Sequence, residues 1–211
     1  GKGMTGVDLG RISEFISNNK GNNIRLSCSL GELGPEELKR LKESGVRRYH
    51  HNIETAESFF PNICSTHTFA DRVRTVKNAK QAGLEVCCGG IIGLGETPRQ
   101  RLELAFALNE LGVDSVPVNI LNPIPGTPLE NQERLSPVDI LRTLAIFRFI
   151  LPNKDISVCG GRETNLRDMQ SWIFFAGANG MMVGGYLTTN GRPVEQDLKM
   201  IKDLGLHIYE E

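Results

Sequence analysis

Short apolar runs alternate along the chain with longer stretches whose apolar residues recur every three or four positions. The first stretch with helical spacing covers Val7 to Ile16, with apolar residues at 9, 12, 15 and 16. A strand-like run, Ile24 to Leu30, comes next. The helix after it opens at Pro35 and stops at Gly45, the usual punctuation of proline inside the start and glycine past the end. Val46 to Asn52 reads as the second strand and Glu54 to Thr66 as a loop. Thr68 caps a helix that runs to about Gln81, with Asp71 in capping-box position. Leu84 to Gly90 is the third strand, extendable to Ile92, and a helix follows from Pro98 to Gly112. Ser115 to Leu121 is the fourth strand, and a Pro/Gly-rich loop, Asn122 to Leu135, leads to a helix from Pro137 to Ile150. Asp155 to Cys159, a helix from Leu166 to Ala176, Met181 to Gly185 and a helix from Pro193 to Leu204 complete the pattern.

Regular alternation of strand and helix implies a parallel sheet, because a helical crossover must separate successive parallel strands. Six such units are two short of a closed eight-stranded barrel, and the chain opens on a helix rather than a strand. Both facts fit an α/β fold of the (β/α)8 TIM type, present as about six units in one domain over residues 1–211. An open six-stranded sheet is the alternative, and its edge at Ile24 to Leu30 would then need covering. Two absent strands would leave unpaired edges, so the isolated chain is expected to be marginally stable or to self-associate.

Composition narrows the function. The net charge of -1 argues against a broad nucleic-acid surface. The longest apolar helix, near Leu144 to Leu151, is too short for a bilayer, and Gly1 to Gly10 lacks the apolar region of a signal peptide. The 5 cysteines form no Cys-x-x-Cys pair, which disfavours a disulfide framework and a self-contained zinc site. A reduced, cytoplasmic protein is expected, or a mitochondrial one in a eukaryote.

In barrels of this type chemistry sits at the carboxyl ends of the strands. Those ends carry Cys28, His51-Asn52, Cys87, Asn119, Arg162 and Gly184-Gly185. Arg48, His50 and Asn52 share one parity, which Glu54 continues. Asn52 and Asn119 suit hydrogen bonds to an uncharged polar ligand such as an amide or urea, or else form a layer of satisfied core groups. Arg162 follows Gly160-Gly161, glycines that let backbone approach a bulky group; pairing with Glu163 or Glu54 is the alternative. Cys28 and Cys87 are read at equivalent heights on their strands, as thiolates for a soft metal or iron–sulfur cluster or as small apolar residues. Cys64, Cys88 and Cys159 are read as structural. Gly93-Leu94-Gly95-Glu96-Thr97 would turn backbone N–H groups toward an anionic or ribose-bearing ligand.

Taken in order, six segments resemble biotin synthase, a family of radical S-adenosylmethionine (SAM) enzymes. They are Tyr49 to Thr55, Val86 to Thr97, Ser115 to Asn119, Pro125 to Leu129, Gly161 to Glu163 and Gly177 to Gly180, and they cover essentially the whole chain. The resemblance implies an eight-stranded β/α barrel in which a 4Fe-4S cluster cleaves SAM to a 5′-deoxyadenosyl radical. A 2Fe-2S cluster then supplies the sulfur that turns dethiobiotin into biotin. It implies Cys28, Cys87 and Arg162 as three ligands of the 2Fe-2S cluster, and Asn52 and Asn119 beside the substrate. It further implies Glu54 on the SAM ribose, Arg72 on the SAM carboxylate, and Gly93, Gly95 and Glu96 along the SAM site. A flavodoxin-type electron donor and a homodimer are implied as partners, with no nucleic acid and no membrane.

The departures are as informative. The family's Cys-x3-Cys-x2-Cys motif for the 4Fe-4S cluster is missing, as is a fourth 2Fe-2S ligand from the second barrel strand. His50 stands where some relatives have Asn, and Glu54 where they have Asp. The chain is therefore expected to be about the C-terminal three-quarters of such a protein, unable to generate the radical by itself. A sibling radical SAM enzyme such as a hydrogenase maturase and a non-catalytic truncated relic are the alternatives.

Overall fold

The computed structural model describes residues 6–19, 25–185 and 191–209; Ile24, where the first strand was expected to begin, lies outside them. Its helices are α1 (Gly6–Asn18), α2 (Pro35–Ser44), α3 (Phe69–Gln81), α4 (Pro98–Glu110), α5 (Pro137–Ile150), α6 (Arg162–Leu166), α7 (Trp172–Phe175) and α8 (Val194–Asp203). Its strands are β1 (Ser27–Cys28), β2 (Arg48–His50), β3 (Glu85–Cys87), β4 (Gly90–Ile92), β5 (Ser115–Ile120), β6 (Asp155–Val158) and β7 (Gly180–Met181). The strand order is β1-β2-β3-β5-β6-β7, with β4 paired to β5, so consecutive β/α units lie side by side as in a β/α barrel.

Local chemistry explains most of the boundaries. Pro35 opens α2 while the Glu37 carboxylate accepts the Gly34 N–H at 2.6 Å, and Gly45 ends the helix at φ 113°. Thr68 and Asp71 form a reciprocal capping box at α3: Asp71 N–H donates to Thr68 Oγ1 at 3.2 Å, and Thr68 N–H to Asp71 Oδ2 at 2.9 Å. Ser136 caps α5 by accepting the Asp139 N–H at 3.1 Å.

The chain divides into two compact units, residues 1–90 with 103–116, and residues 91–102 with 117–211. In the first, β1, β2 and β3 pair in parallel and Cys87 meets Ser115 at the start of β5. Leu38, Leu41, Tyr49, Val76 and Val86 are buried between these strands and their helices. In the second, Cys159 N–H donates to Val118 O and Ile120 N–H to Gly160 O, while Ser157 and Val158 of β6 pair with Gly180 and Met181. Ile140, Leu144, Phe147, Ile156 and Ile173 form the core there.

Two elements differ from the sequence pattern. The run Leu84 to Ile92 breaks into β3 and β4 at Cys88-Gly89, where the Gly89 N–H goes to the Asn52 side-chain oxygen and not to a strand carbonyl. The single helix expected over 166–176 is replaced by the end of α6, a 3-10 turn over Arg167–Met169 and the short α7: Arg167 takes φ 51°, a positive value that no α-helix tolerates.

His51, just past β2, is 5% exposed and its ring stacks on Tyr49 at 6.5 Å. Burial, followed by the charge of Arg72, lowers its pKa to about 4. The folded pKa lies below the unfolded one, so the stability that neutral His51 confers is complete above about pH 6.5 and is lost as pH falls toward 4. Replacement by glutamine should remove roughly 2–3 kcal/mol of acid sensitivity over that window, read as a flatter plot of urea-unfolding free energy against pH. An unchanged plot would refute the assignment.

Candidate functional site

In the first unit the end of β2 leads into a turn that carries three polar side chains. Asn52 Oδ1 accepts the Gly89 N–H at 3.0 Å, tying this turn to the end of β3. Glu54 follows at φ 69°, and its backbone bridges Gly90. A Cβ on Gly90 would lie 2.3 Å from the Glu54 carbonyl oxygen, so glycine is required for the turn to close. Arg72 of α3 reaches back to the same place. Its Nη1 donates to Asn52 O at 2.9 Å and lies 3.3 Å from Glu54 Oε1. Its Nε donates to His67 Nε2 at 2.9 Å, which puts the His67 proton on Nδ1, facing Thr66 Oγ1 at 3.0 Å and Cys64 Sγ at 3.3 Å. Glu54, Arg72 and Asn52 are thus brought together as expected. His67 is an addition: a lone histidine before a helix cap carries no sequence signal.

The two thiols expected to share a metal are separated by the strand register. Cys28 pairs with Tyr49 and Tyr49 with Val86, whereas Cys87 pairs with His50. Partners in a parallel ladder point to the same face and successive residues to opposite faces, so Cys28 and Cys87 face opposite sides of the sheet. This corrects the reading of equivalent heights. Both thiols are free, and burial pushes the pKa of each up. Cys87 shares its face with Arg48 and His50, and as a free soft donor it fits an iron–sulfur ligand. The register does not bring Cys28 to the face of Cys87, so its place in the same cluster rests on the resemblance alone. Cys88 is fully buried, in keeping with a structural role.

In the second unit Gly161 places Arg162. Gly161 has φ 78°, and a Cβ there would lie 2.0 Å from Ile120 O, so only glycine lets α6 start this close to β5. Arg162 and Asp197 of α8 are each 0% exposed, joined by Nη2–Oδ2 at 2.7 Å and Nη1–Oδ1 at 3.3 Å. Gln170 accepts from Nη1, while Glu163 and Met182 O accept from Nη2 at 3.0 and 3.2 Å. Nε is buried and has no partner among the described residues. Pairing with Glu163, the alternative to a ligand role, is present; the dominant partner, Asp197, was not foreseen. Its signal was an acid on the apolar side of α8, in line with Val194, Leu198 and Ile201. Asn119 Oδ1 accepts the Gly160 N–H at 3.0 Å, repeating at β5 and β6 what Asn52 does at β2 and β3.

The loop before α4 departs from expectation. Glu96 is buried and its carboxylate accepts from Gly93 N–H at 2.8 Å, Leu94 N–H at 2.7 Å and Arg101 Nε at 2.7 Å. Thr97 N–H donates to Gln100 Oε1 at 2.9 Å. The N–H groups of Gly93, Leu94 and Thr97, expected to face an anion, are therefore spent inside the loop, and Glu96 serves as its internal staple. Gly93 and Gly95, at φ 89° and 106°, shape the turn. They line a cavity of about 560 Å³ within this unit, together with Gln132, Leu135 and Asn165.

Among the described residues no group of three or more His, Cys, Asp and Glu side chains could hold a metal ion, so no ligand set for a 4Fe-4S cluster is assigned to them. No described helix is long and apolar enough to cross a membrane.

Residues 4–108 match the radical SAM superfamily and residues 117–207 the biotin and thiamin synthesis associated domain. The chain is 56% identical over 204 residues to the biotin synthase of Geobacter sulfurreducens, covering 96% of this chain and 62% of that protein. It is 60% identical over 185 residues to that of Carboxydothermus hydrogenoformans, covering 88% of this chain and 57% of that protein. The chain thus spans about 62% of the first of these relatives. Among solved structures, methylornithine synthase superposes with a TM-score of 0.79 at 21% identity, covering 97% of this chain and 65% of that one. The hydrogenase maturase HydG gives 0.77 at 16% identity, covering 94% and 49%. At these identities the likeness establishes the fold alone.

Proposed function

The chain belongs to the biotin synthase family, and we propose that it forms the larger part of an enzyme that inserts sulfur into dethiobiotin by radical SAM chemistry. The observation that carries this reading is the clasp of Glu54, Arg72 and Asn52, held shut by Gly90, in a chain 56% identical to a biotin synthase. A carboxylate beside a guanidinium offers an acceptor for ribose hydroxyls and a donor for a carboxylate, the two polar ends of SAM. Arg72 is pre-oriented by His67 and Asn52 O, so binding need not order its long side chain. Asn52 and Asn119 each accept a backbone N–H at Oδ1, which fixes the amide plane, and the Nδ2 donor of either suits a carbonyl acceptor such as the dethiobiotin ureido oxygen.

When bound, a 4Fe-4S cluster and SAM would supply the radical and a 2Fe-2S cluster the sulfur. Cys87 is proposed as a ligand of the 2Fe-2S cluster; for Arg162 that role is carried by the resemblance alone. Coordination by Arg162 has to displace one of the groups that hold its Nη atoms. A flavodoxin-type reductant, a homodimer and a cytoplasmic location complete the proposal.

The test is turnover by the native protein that carries this chain, reconstituted with iron and sulfide under anaerobic conditions and given SAM, dethiobiotin and a low-potential reductant. Biotin is the expected product. Cleavage of SAM without biotin would favour a sibling radical enzyme, and neither SAM binding nor cleavage would leave a non-catalytic protein.

A further inference from the structure

His67 stands between a 3-10 turn over Phe60–Asn62 and the Thr68 cap of α3. Phe60 is 2% exposed and meets the His67 ring in a T-shaped contact, with centroids 5.8 Å apart. The two ring nitrogens face different groups. On the Nδ1 side lie Thr66 Oγ1 at 3.0 Å and Cys64 Sγ at 3.3 Å. On the other side Nε2 accepts from Arg72 Nε at 2.9 Å. A ring nitrogen accepts a hydrogen bond only through its lone pair, so this contact exists with the neutral ring alone.

Arg72 depends on that contact for its place. A guanidinium carries its N–H donors in a rigid fork, so holding Nε and Nη1 fixes where Nη2 points. His67 holds Nε, while Asn52 O and Glu54 Oε1 hold Nη1 at 2.9 and 3.3 Å. Nη2 donates to none of the described residues and is the arm left for a ligand carboxylate. We propose that His67 is the positioning residue for Arg72, and that it serves only while its ring is neutral. The inference rests on the SAM reading of the clasp given above. A proton on Nε2 turns an acceptor into a donor facing another donor, and sets two positive charges side by side. Arg72 then leaves His67, and Nη2 loses its aim.

The other titratable groups nearby belong to different contacts. Glu54 pairs with Arg72 Nη1, and Asp71 of α3 is engaged by Thr68 and Arg74. His51 is buried, and burial with the Arg72 charge keeps it neutral down to about pH 4. Cys64 faces Nδ1, and its hydrogen bond with the Thr66 hydroxyl lowers the thiol pKa. A thiolate there would favour a charged ring, so Cys64 opposes the Arg72 contact and is substituted in the test.

The test measures SAM affinity by equilibrium dialysis on the native protein carrying this chain, reconstituted anaerobically with iron and sulfide. Affinity is compared at about pH 8 and about pH 5.5, a span over which histidines change charge and which stays above the His51 titration. Any change in the charge of SAM itself is common to all variants. The unsubstituted protein and Cys64→Ser should each bind about tenfold more weakly at the lower pH, as the competent fraction falls. His67→Gln keeps an acceptor that does not titrate, so it should bind within about threefold of the unsubstituted protein at pH 8 and lose most of the fall. His67→Phe keeps packing on Phe60 without an acceptor, and should be about tenfold weaker at pH 8 with no greater fall than His67→Gln. Thermal unfolding at both pH values checks that each variant is folded. An equal fall in His67→Gln and the unsubstituted protein, or a fall abolished by Cys64→Ser, would overturn the inference while leaving the clasp reading intact. Full SAM affinity in Arg72→Ala, or no SAM binding by the unsubstituted protein, would instead defeat the clasp reading, and this inference with it.

Discussion

Replacing Asp197 by alanine should destabilise the protein by about 3–5 kcal/mol, the cost of leaving a buried charge without its partner. Arg162 and Asp197 are both inaccessible to solvent, so neither water nor salt can take the missing partner's place. Glu163 remains near Nη2 at 3.0 Å, but its side chain is 31% exposed and already shared with solvent, so it compensates only in part. Arg192, 3.7 Å from Asp197, also loses its partner, at less cost because it can turn to water. The expected result is a fall in urea midpoint at unchanged slope. A companion variant separates charge from packing: Arg162→Met with Asp197→Leu removes both charges and should recover much of the loss, because a buried ion pair often contributes little over apolar groups of similar volume. A loss under about 1 kcal/mol in Asp197→Ala would mean that solvent reaches the pair and that Arg162 is free to move.

This pair also marks where sequence reading stops. The alternation of apolar runs and helical spacings located every strand region within a few residues, because helix caps and end signals are local chemistry: Pro35, Gly45, Thr68 with Asp71, and Ser136 act over three or four residues. Parity along a single strand was equally legible, and Asn52, Glu54 and Arg72 do come together. Register between strands was not legible. Which residue of β1 faces Cys87 depends on how β1 slides against β2, and a shift of one residue exchanges Ser27 for Cys28. The Glu96 loop failed for a related reason. A glycine-rich turn before a helix offers N–H groups either to a ligand or to its own side chains, and only the fold decides that Glu96 takes two of them. Asp197 lies 35 residues beyond Arg162, with no local pattern linking them.

On the proposed function, Gly90→Ala should weaken SAM binding at least about tenfold, equivalent to roughly 1.4 kcal/mol, through backbone it does not itself share with the ligand. The added Cβ would stand 2.3 Å from Glu54 O and 2.7 Å from Glu54 C, with Leu104 Cδ2 at 3.2 Å on its other side. The leucine can rotate away; the Glu54 peptide cannot without altering a residue already held at φ 69°. The peptide must therefore shift, carrying the Glu54 carboxylate away from Arg72, and overpacking of this kind also costs about 1–3 kcal/mol of stability. Glu54→Gln supplies the comparison, since it keeps the backbone and removes only the charge. It should lower SAM affinity with little change in melting temperature, whereas Gly90→Ala should lower both. If displacement of Glu54 is the route, the double variant binds SAM about as weakly as the worse single one, because each substitution disables the same contact. Strictly additive losses in equilibrium dialysis would show that Gly90 acts on SAM by some other path, and full affinity in Glu54→Gln would remove Glu54 from the SAM site altogether.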